Sequence, residues 1–285
     1  MRKVTVSTDA QGHTAGWVST DLEAALVPEP APRAAAFFDL DNTMMQGASL
    51  YWFARGLASR RYFTARDVAR FAWQQARFRL VSEHRGHISS ARDVALAFFR
   101  GWTVGDVERL AEEIFDELMA ERIWPGTHAL ARTHLERGQR VWLVTAAPIE
   151  IGRVIAQRLG LTGAIGTVAE ITDGVYTGRL VGDLMHGAAK ADAVHRLAEV
   201  EGLELRRCTA YSDSANDLPM LTCVGTAVAT NPDAALRRIA RTKGWQVRDF
   251  RTARKAARVA VPVAVVTGVL AGAALTVAVR RRAAR

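Results

Sequence analysis

An apolar run, Ala34 to Phe38, leads directly into Asp39-Leu40-Asp41-Asn42-Thr43. Such a run reads as a parallel strand buried on both faces. It constrains the chain to an α/β fold whose chemistry lies at the carboxyl end of that strand. Side chains alternate along a strand, which puts Asp39 and Asp41 on the same side. Two carboxylates so close need a shared proton or a cation, and all-oxygen ligation suits magnesium. The same residues also suit a plain strand-to-turn junction, because Asp and Asn favour turns. Residues further along the chain decide between the two.

Residues 49–124 carry helical periodicity, with Leu50, Phe53 and Leu57 on one face, then Val68, Phe71, Ala72, Gln75 and Phe78, then Val107, Leu110, Ile114 and Leu118. Ser89 and Thr103 read as helix N-caps. A stretch this long is no ordinary loop, and it is expected to be a helical cap inserted over the site. From Pro125 strands and helices alternate: helix Pro125–Arg137, strand Arg140–Thr145, helix Ile149–Leu159, strand Thr167–Ile171, helix Ala188–Val200, strand Cys208–Ser212, short helix Asn216–Leu221, strand Val224–Ala229, helix Pro232–Arg241. Asp173-Gly174 and Thr177-Gly178 suggest a hairpin or flap reaching toward Asp183. The pattern implies a doubly wound parallel sheet, with the core formed by 34–48 and 125–246.

The two ends stand apart from this core. Residues 1–33 show no sustained period and read as a flexible arm without a secretory signal. The chain's net charge of +9 is concentrated at the other end, where 13 Lys and Arg from Arg237 onward face the single acid Asp249. That excess, a basic linker at 247–258 and a tail at 280–285, flanks Val259–Val279, an uncharged stretch long enough to span a bilayer. Gly and Pro inside it are tolerated in a membrane. The expectation is a single-pass C-terminal transmembrane helix with the catalytic domain in the cytoplasm. The charge therefore points to a membrane surface and not to nucleic acid, for which no binding motif accompanies it. Cys208 and Cys223 are the two cysteines, which fits a reducing compartment. Nothing in the pattern sets an oligomeric state.

Three further sites come later, in order. Thr145 ends its expected strand, where its hydroxyl and the Ala146 amide can hold a phosphate oxygen, or simply form a turn. Lys190 opens a helix, a placement that the helix dipole opposes; it is either a surface lysine or a grip on a phosphoryl group. Tyr211-Ser212-Asp213-Ser214-Ala215-Asn216-Asp217 repeats the opening logic: Asp213 can complete a metal site, and Asp217 can orient Lys190.

Taken together, the Asp39 to Thr43 segment, Thr145, Lys190 and the Asp213 to Asp217 segment resemble the four-motif set of the haloacid dehalogenase superfamily, in its phosphoserine-phosphatase-like, IB-type branch. The resemblance covers Ala34 to Arg241 and implies a magnesium-dependent phosphomonoester hydrolase. It casts Asp39 as the nucleophile that forms an aspartyl-phosphate and Asp41 as the general acid and base. It assigns magnesium to Asp39, the Asp41 carbonyl and Asp213, and phosphate to Thr145, Lys190 and Asn216, with Thr43 and Asp217 in support. Two departures count against phosphoserine as substrate: Ala48 stands where phosphoserine phosphatases carry a glutamate, and Thr145-Ala146-Ala147 replaces their Ser-Gly-Gly. A membrane tether adds a lipid or lipid head-group phosphate to the candidates. A phosphotransferase, or an inactive membrane-anchored regulator, would share the same motifs.

Overall fold

The computed structural model describes residues 33–62 and 99–251. The N-terminal arm, the expected helix face at Val68 to Phe78, the Ser89 cap, most of the basic linker, the span Val259–Val279 and the tail lie outside the described residues.

Strand β1 (Ala35–Asp39) is buried at every position. Ala36 and Phe38 enter one hydrophobic core, and Ala35 and Phe37 enter the other. That division arises from the two-residue period of a strand whose faces are both covered. On either side lie β2 (Arg140–Pro148) and β6 (Thr209–Ser212). Outside them run β3 (Gly163–Thr167), β7 (Thr226–Thr230) and β8 (Gln246–Arg248). All pairings are parallel, in the order β3-β2-β1-β6-β7-β8. The register aligns Asp39 with Val144 and Phe38 with Tyr211, so the ends of β1 and β6 lie level with the Val144–Thr145 stretch of β2.

Three sequence expectations need correction. The strand expected at Thr167–Ile171 is two strands. Gly163–Thr167 joins the main sheet, while β4 (Ala169–Thr172) forms a separate antiparallel hairpin with β5 (Val175–Leu180). Asp173 and Gly174, at φ 51° and 76°, make its turn, and both positive angles suit a tight hairpin connection. β3 hides from propensity because its glycines serve close packing: a Cβ on Gly163 would stand 2.6 Å from the Trp142 ring, and one on Gly166 2.8 Å from Ile149 Cα. The basic linker assigned from 247 begins inside β8, a three-residue edge strand too short to announce itself. Thr145 does not end β2, which continues to Pro148 with a register shift between Val144 and Pro148.

The cap enters through α1 (Ser49–Ser59) and returns through α2 (Val104–Ile114). Thr103 caps α2, its hydroxyl accepting from the Asp106 amide, as expected from the sequence. The two crossings to the core are zipped together: the Gln46 amide donates to the Arg122 carbonyl (2.8 Å) and the Trp124 amide to the Met44 carbonyl (2.9 Å). Beyond the cap lie α3 (Pro125–Glu136), α4 (Ile149–Arg158) and α5 (Ala188–Glu201), then α6 (Leu218–Thr222) and α7 (Ala234–Lys243). Among the described residues no helix is long and apolar enough to cross a membrane.

Where α1 meets α2, Gly56 is buried and a Cβ there would stand 2.5 Å from Ile114 Cγ1. Overpacking of this kind costs about 1–3 kcal/mol. Gly56→Ala should lower stability by that amount, read from the urea midpoint at unchanged slope.

Candidate active site

Lys190 lies in the first turn of α5, and its ammonium is drawn inward. Nζ donates to Asp39 Oδ1 at 2.5 Å and to Asp217 Oδ2 at 2.8 Å. Asp217 also accepts from the Ser212 hydroxyl at 2.8 Å. Burial works against the ammonium, but the charges of Asp39 and then Asp217 outweigh it and hold the Lys190 pKa above the usual lysine range. The unfavoured place in the helix is thus offset by two buried ion pairs.

The cluster is short of positive charge. Burial, opposed by Lys190 and reinforced by the charges of Asp217 and Asp41, pushes Asp39 up to about 7. Burial and then the Asp217 charge push Asp213 up to about 6. Asp213 sits just past the end of β6, with the Thr43 hydroxyl 3.5 Å from its Oδ1. Its backbone carbonyl accepts from the Asp233 amide at 2.7 Å. Among the described residues no three His, Cys, Asp or Glu side chains gather into a metal cage. The expected magnesium set has two side-chain carboxylates, Asp39 and Asp213, plus the Asp41 carbonyl. Its donors are all oxygen, and the raised carboxylate pKa values mark a place where a cation is wanted, so the residues fit magnesium.

Asp41 is placed by the loop and by the cap. The Met44 and Met45 amides both donate to the Leu40 carbonyl, which curls the chain back after β1. Asn42 holds φ 61°, a left-handed conformation that Asn tolerates, and its Oδ1 accepts from the Gly47 amide. The Asp41 carboxylate then accepts from the Ser49 amide at 2.8 Å, in the first turn of α1. Burial raises its pKa, and the Ser49 amide opposes the rise.

The remaining expected residues stand around this centre. Thr145 is buried one residue past Val144, the register partner of Asp39, and its Oγ1 accepts from the Ala147 amide at 3.1 Å. Asn216 is exposed on a short 3-10 turn, at the rim and not in the cluster. Sequence reasoning missed Ser212, Asn231 and Asp233. Asn231, at φ 49°, donates from Nδ2 to the Asn42 carbonyl and accepts from the Phe250 amide. Asp233 caps α7 and accepts from the Ala215 amide. The run Asn231-Pro232-Asp233 after a strand is a turn-and-cap signal that could have found both.

A carboxylate at a central strand end, clamped by a buried lysine and flanked by two further acids, belongs to the class of phosphoryl-transfer hydrolases. A family model of haloacid dehalogenase-like hydrolases matches residues 36–222. The chain belongs to that family, in its phosphoserine-phosphatase-like branch, and is a phosphatase of the haloacid dehalogenase type. It is 57% identical over 250 residues to the phosphoserine phosphatase SerB1 of Mycobacterium tuberculosis H37Rv, covering 87% of this chain and 81% of that one. It is 28% identical over 231 residues to a histidinol-phosphatase of Neisseria meningitidis serogroup C, covering 76% of this chain and 98% of that one. A solved structure of a Bordetella pertussis Tohama I protein of unknown function superposes with a TM-score of 0.67 at 30% identity, covering 76% of this chain and 99% of that one.

Removing the Lys190 ammonium leaves Asp39 and Asp217 buried without a counter-charge, a loss of about 3–5 kcal/mol. Lys190→Met should lower stability by this amount at neutral pH. Carboxylates left alone favour their neutral form, so the loss should shrink toward about pH 5 and grow toward about pH 8. Urea melts of parent and variant across that range check it.

Proposed function

We propose that the chain hydrolyses phosphate monoesters of small amino-bearing alcohols, with magnesium, through a phosphoaspartate on Asp39. The observation that carries this reading is the buried Lys190 ammonium bridging Asp39 and Asp217 at the carboxyl end of β1. Asp39 attacks phosphorus in line, and the ester oxygen leaves with a proton from Asp41. Asp41 then takes a proton from the water that hydrolyses the phosphoaspartate. Its bond to the Ser49 amide holds the carboxylate ready for both roles. Thr145 and Lys190 hold the phosphoryl oxygens and Asn216 approaches them from the rim, while Thr43 and Asp217 position Asp213 and Lys190. Magnesium, held by Asp39, the Asp41 carbonyl and Asp213, would supply charge neutralisation between the nucleophile and the phosphate.

The substrate class comes from chemistry shared by the relatives' names. Phosphoserine and histidinol phosphate are both phosphate esters of 2-amino alcohols. Ala48 supplies no charge for such an amine, so recognition must come from elsewhere in the site. A tether at Val259–Val279 remains part of the proposal, supported by the length of the uncharged stretch and the arginines on both sides of it. It would bring the site close to head-group esters without excluding soluble ones.

Asp39→Asn should reduce turnover of a phosphate ester at least about 10³-fold and abolish an acid-stable, hydroxylamine-sensitive label from ³²P substrate. Magnesium should raise the melting temperature of the parent and fail to raise that of Asp213→Asn, which tests the metal without reference to activity. Deleting Val259 to Arg285 should move the protein from the membrane pellet to the supernatant with its turnover of soluble esters kept; retention in the pellet would sink the tether.

A further inference from the structure

The sheet pairs β1 with β6 as far as Phe38 and Tyr211. Beyond that register, other bonds must space the loop that carries Asp41 from the loop that carries Asp213. One is the Thr43 hydroxyl, long at 3.5 Å from Asp213 Oδ1. The turn after β7, which none of the four motifs includes, supplies shorter bonds to both loops.

Asn231 in that turn is 1% exposed and holds φ 49°. Its Nδ2 donates at 3.1 Å to the Asn42 carbonyl, one residue past the Asp41 carbonyl. Two residues on, the Asp233 amide donates to the Asp213 carbonyl at 2.7 Å. The Asp233 carboxylate accepts from the Ala215 amide at 3.2 Å. One turn therefore grips the first-strand loop and the Asp213 loop together.

The turn is itself braced. The Asn231 amide donates to the Arg248 carbonyl at 2.7 Å, and its Oδ1 accepts from the Phe250 amide at 2.8 Å. The Arg251 guanidinium donates to the Pro232 carbonyl at 2.9 Å. The Phe250 ring lies on the first turn of α3, where a Cβ on Gly126 would stand 2.3 Å from it. Phe250 offers an N–H and Asn42 an oxygen, so the carboxamide serves both in one orientation alone. The position thus needs a donor and an acceptor on a short stem, on a backbone in the left-handed region. Asparagine meets all of these demands.

Magnesium accepts little deviation from octahedral geometry. The groups that orient its ligands are therefore worth about 10–100-fold in affinity. We propose that Asn231 is a positioning residue for the magnesium site: by holding the Asn42 carbonyl it sets the Asp41 carbonyl against Asp213. This role rests on the magnesium-phosphatase reading and adds a residue that touches neither metal nor substrate.

The test uses the full-length chain. Asn231→Asp keeps the acceptor for Phe250 and loses the donor to Asn42. Asn231→Gly accepts the same φ and loses both bonds, and it serves if the buried charge keeps the first variant from folding. Melting temperature against magnesium chloride concentration, without substrate, gives the affinity. Each variant should bind magnesium about 10–100-fold more weakly than the parent. Turnover of p-nitrophenyl phosphate should fall at limiting magnesium and recover at saturating magnesium, with the KM for the ester changed less than about threefold. Gly163→Ala, a packing change against Trp142 at the amino end of the sheet, should lose stability and keep the parent's magnesium affinity. Affinity within about twofold of the parent in the Asn231 variants overturns the proposal. An equal loss in Gly163→Ala also overturns it, because affinity would then follow stability alone. Magnesium binding that depends on Asn231 in a parent that cleaves no ester keeps the positioning role and overturns the phosphatase reading instead.

Discussion

The buried Lys190 ammonium, shared between Asp39 and Asp217, is the interaction on which the rest of the site depends. Its partners are 151 and 27 residues away in sequence, so the fold must deliver them. Desolvating three charges is costly, and their mutual attraction repays it only when the geometry is good and the remaining oxygens are bonded. The Ser212 hydroxyl on Asp217 and the two cores packed on either face of β1 meet that condition. The same arrangement leaves the carboxylates in excess over lysine, and burial holds Asp39 and Asp213 above the usual carboxylate range.

Asp41 connects this centre to the cap. Its carboxylate is held by an amide in the first turn of α1, so the position of the cap's entry helix and the aim of the Asp41 carboxylate are one variable. The exit strand is hydrogen-bonded to the entry strand at Met44 and Gln46. On the far side the hairpin is pinned to the cap through Tyr176. Asp41 and Tyr176 thus both lie where cap and core are tied.

The site residues were more legible than the sheet. Asp39, Lys190 and Asp217 stand in contact because each motif falls at a strand end or helix start, and such positions converge in any parallel α/β sheet. Asp213 follows the end of β6, and Thr145 lies in β2 one residue past the partner of Asp39, on the two strands that flank β1, whereas Asn216 stays at the exposed rim. β3 escaped notice because Gly163 and Gly166 serve closeness to Trp142 and Ile149, not strand propensity. β8 escaped because three residues at a sheet edge carry no period. Asn231 and Asp233 were readable as a turn, yet their bonds to Asn42 and Ala215 join segments that no local pattern links.

By itself, the sequence determined the chemical inventory and its order: the paired aspartates after an apolar run, the lysine in an electrostatically awkward place, and the acids that come after the strand at Tyr211. These are local facts, set by periodicity, charge and the preferences of strand ends and helix starts. Only the tertiary structure decided which carboxylates share the ammonium, that a cap helix holds Asp41, and that Glu150 and Tyr176 are buried against each other. Those contacts are long-range, and burial gives them their strength, because charges and hydrogen bonds act more strongly away from water.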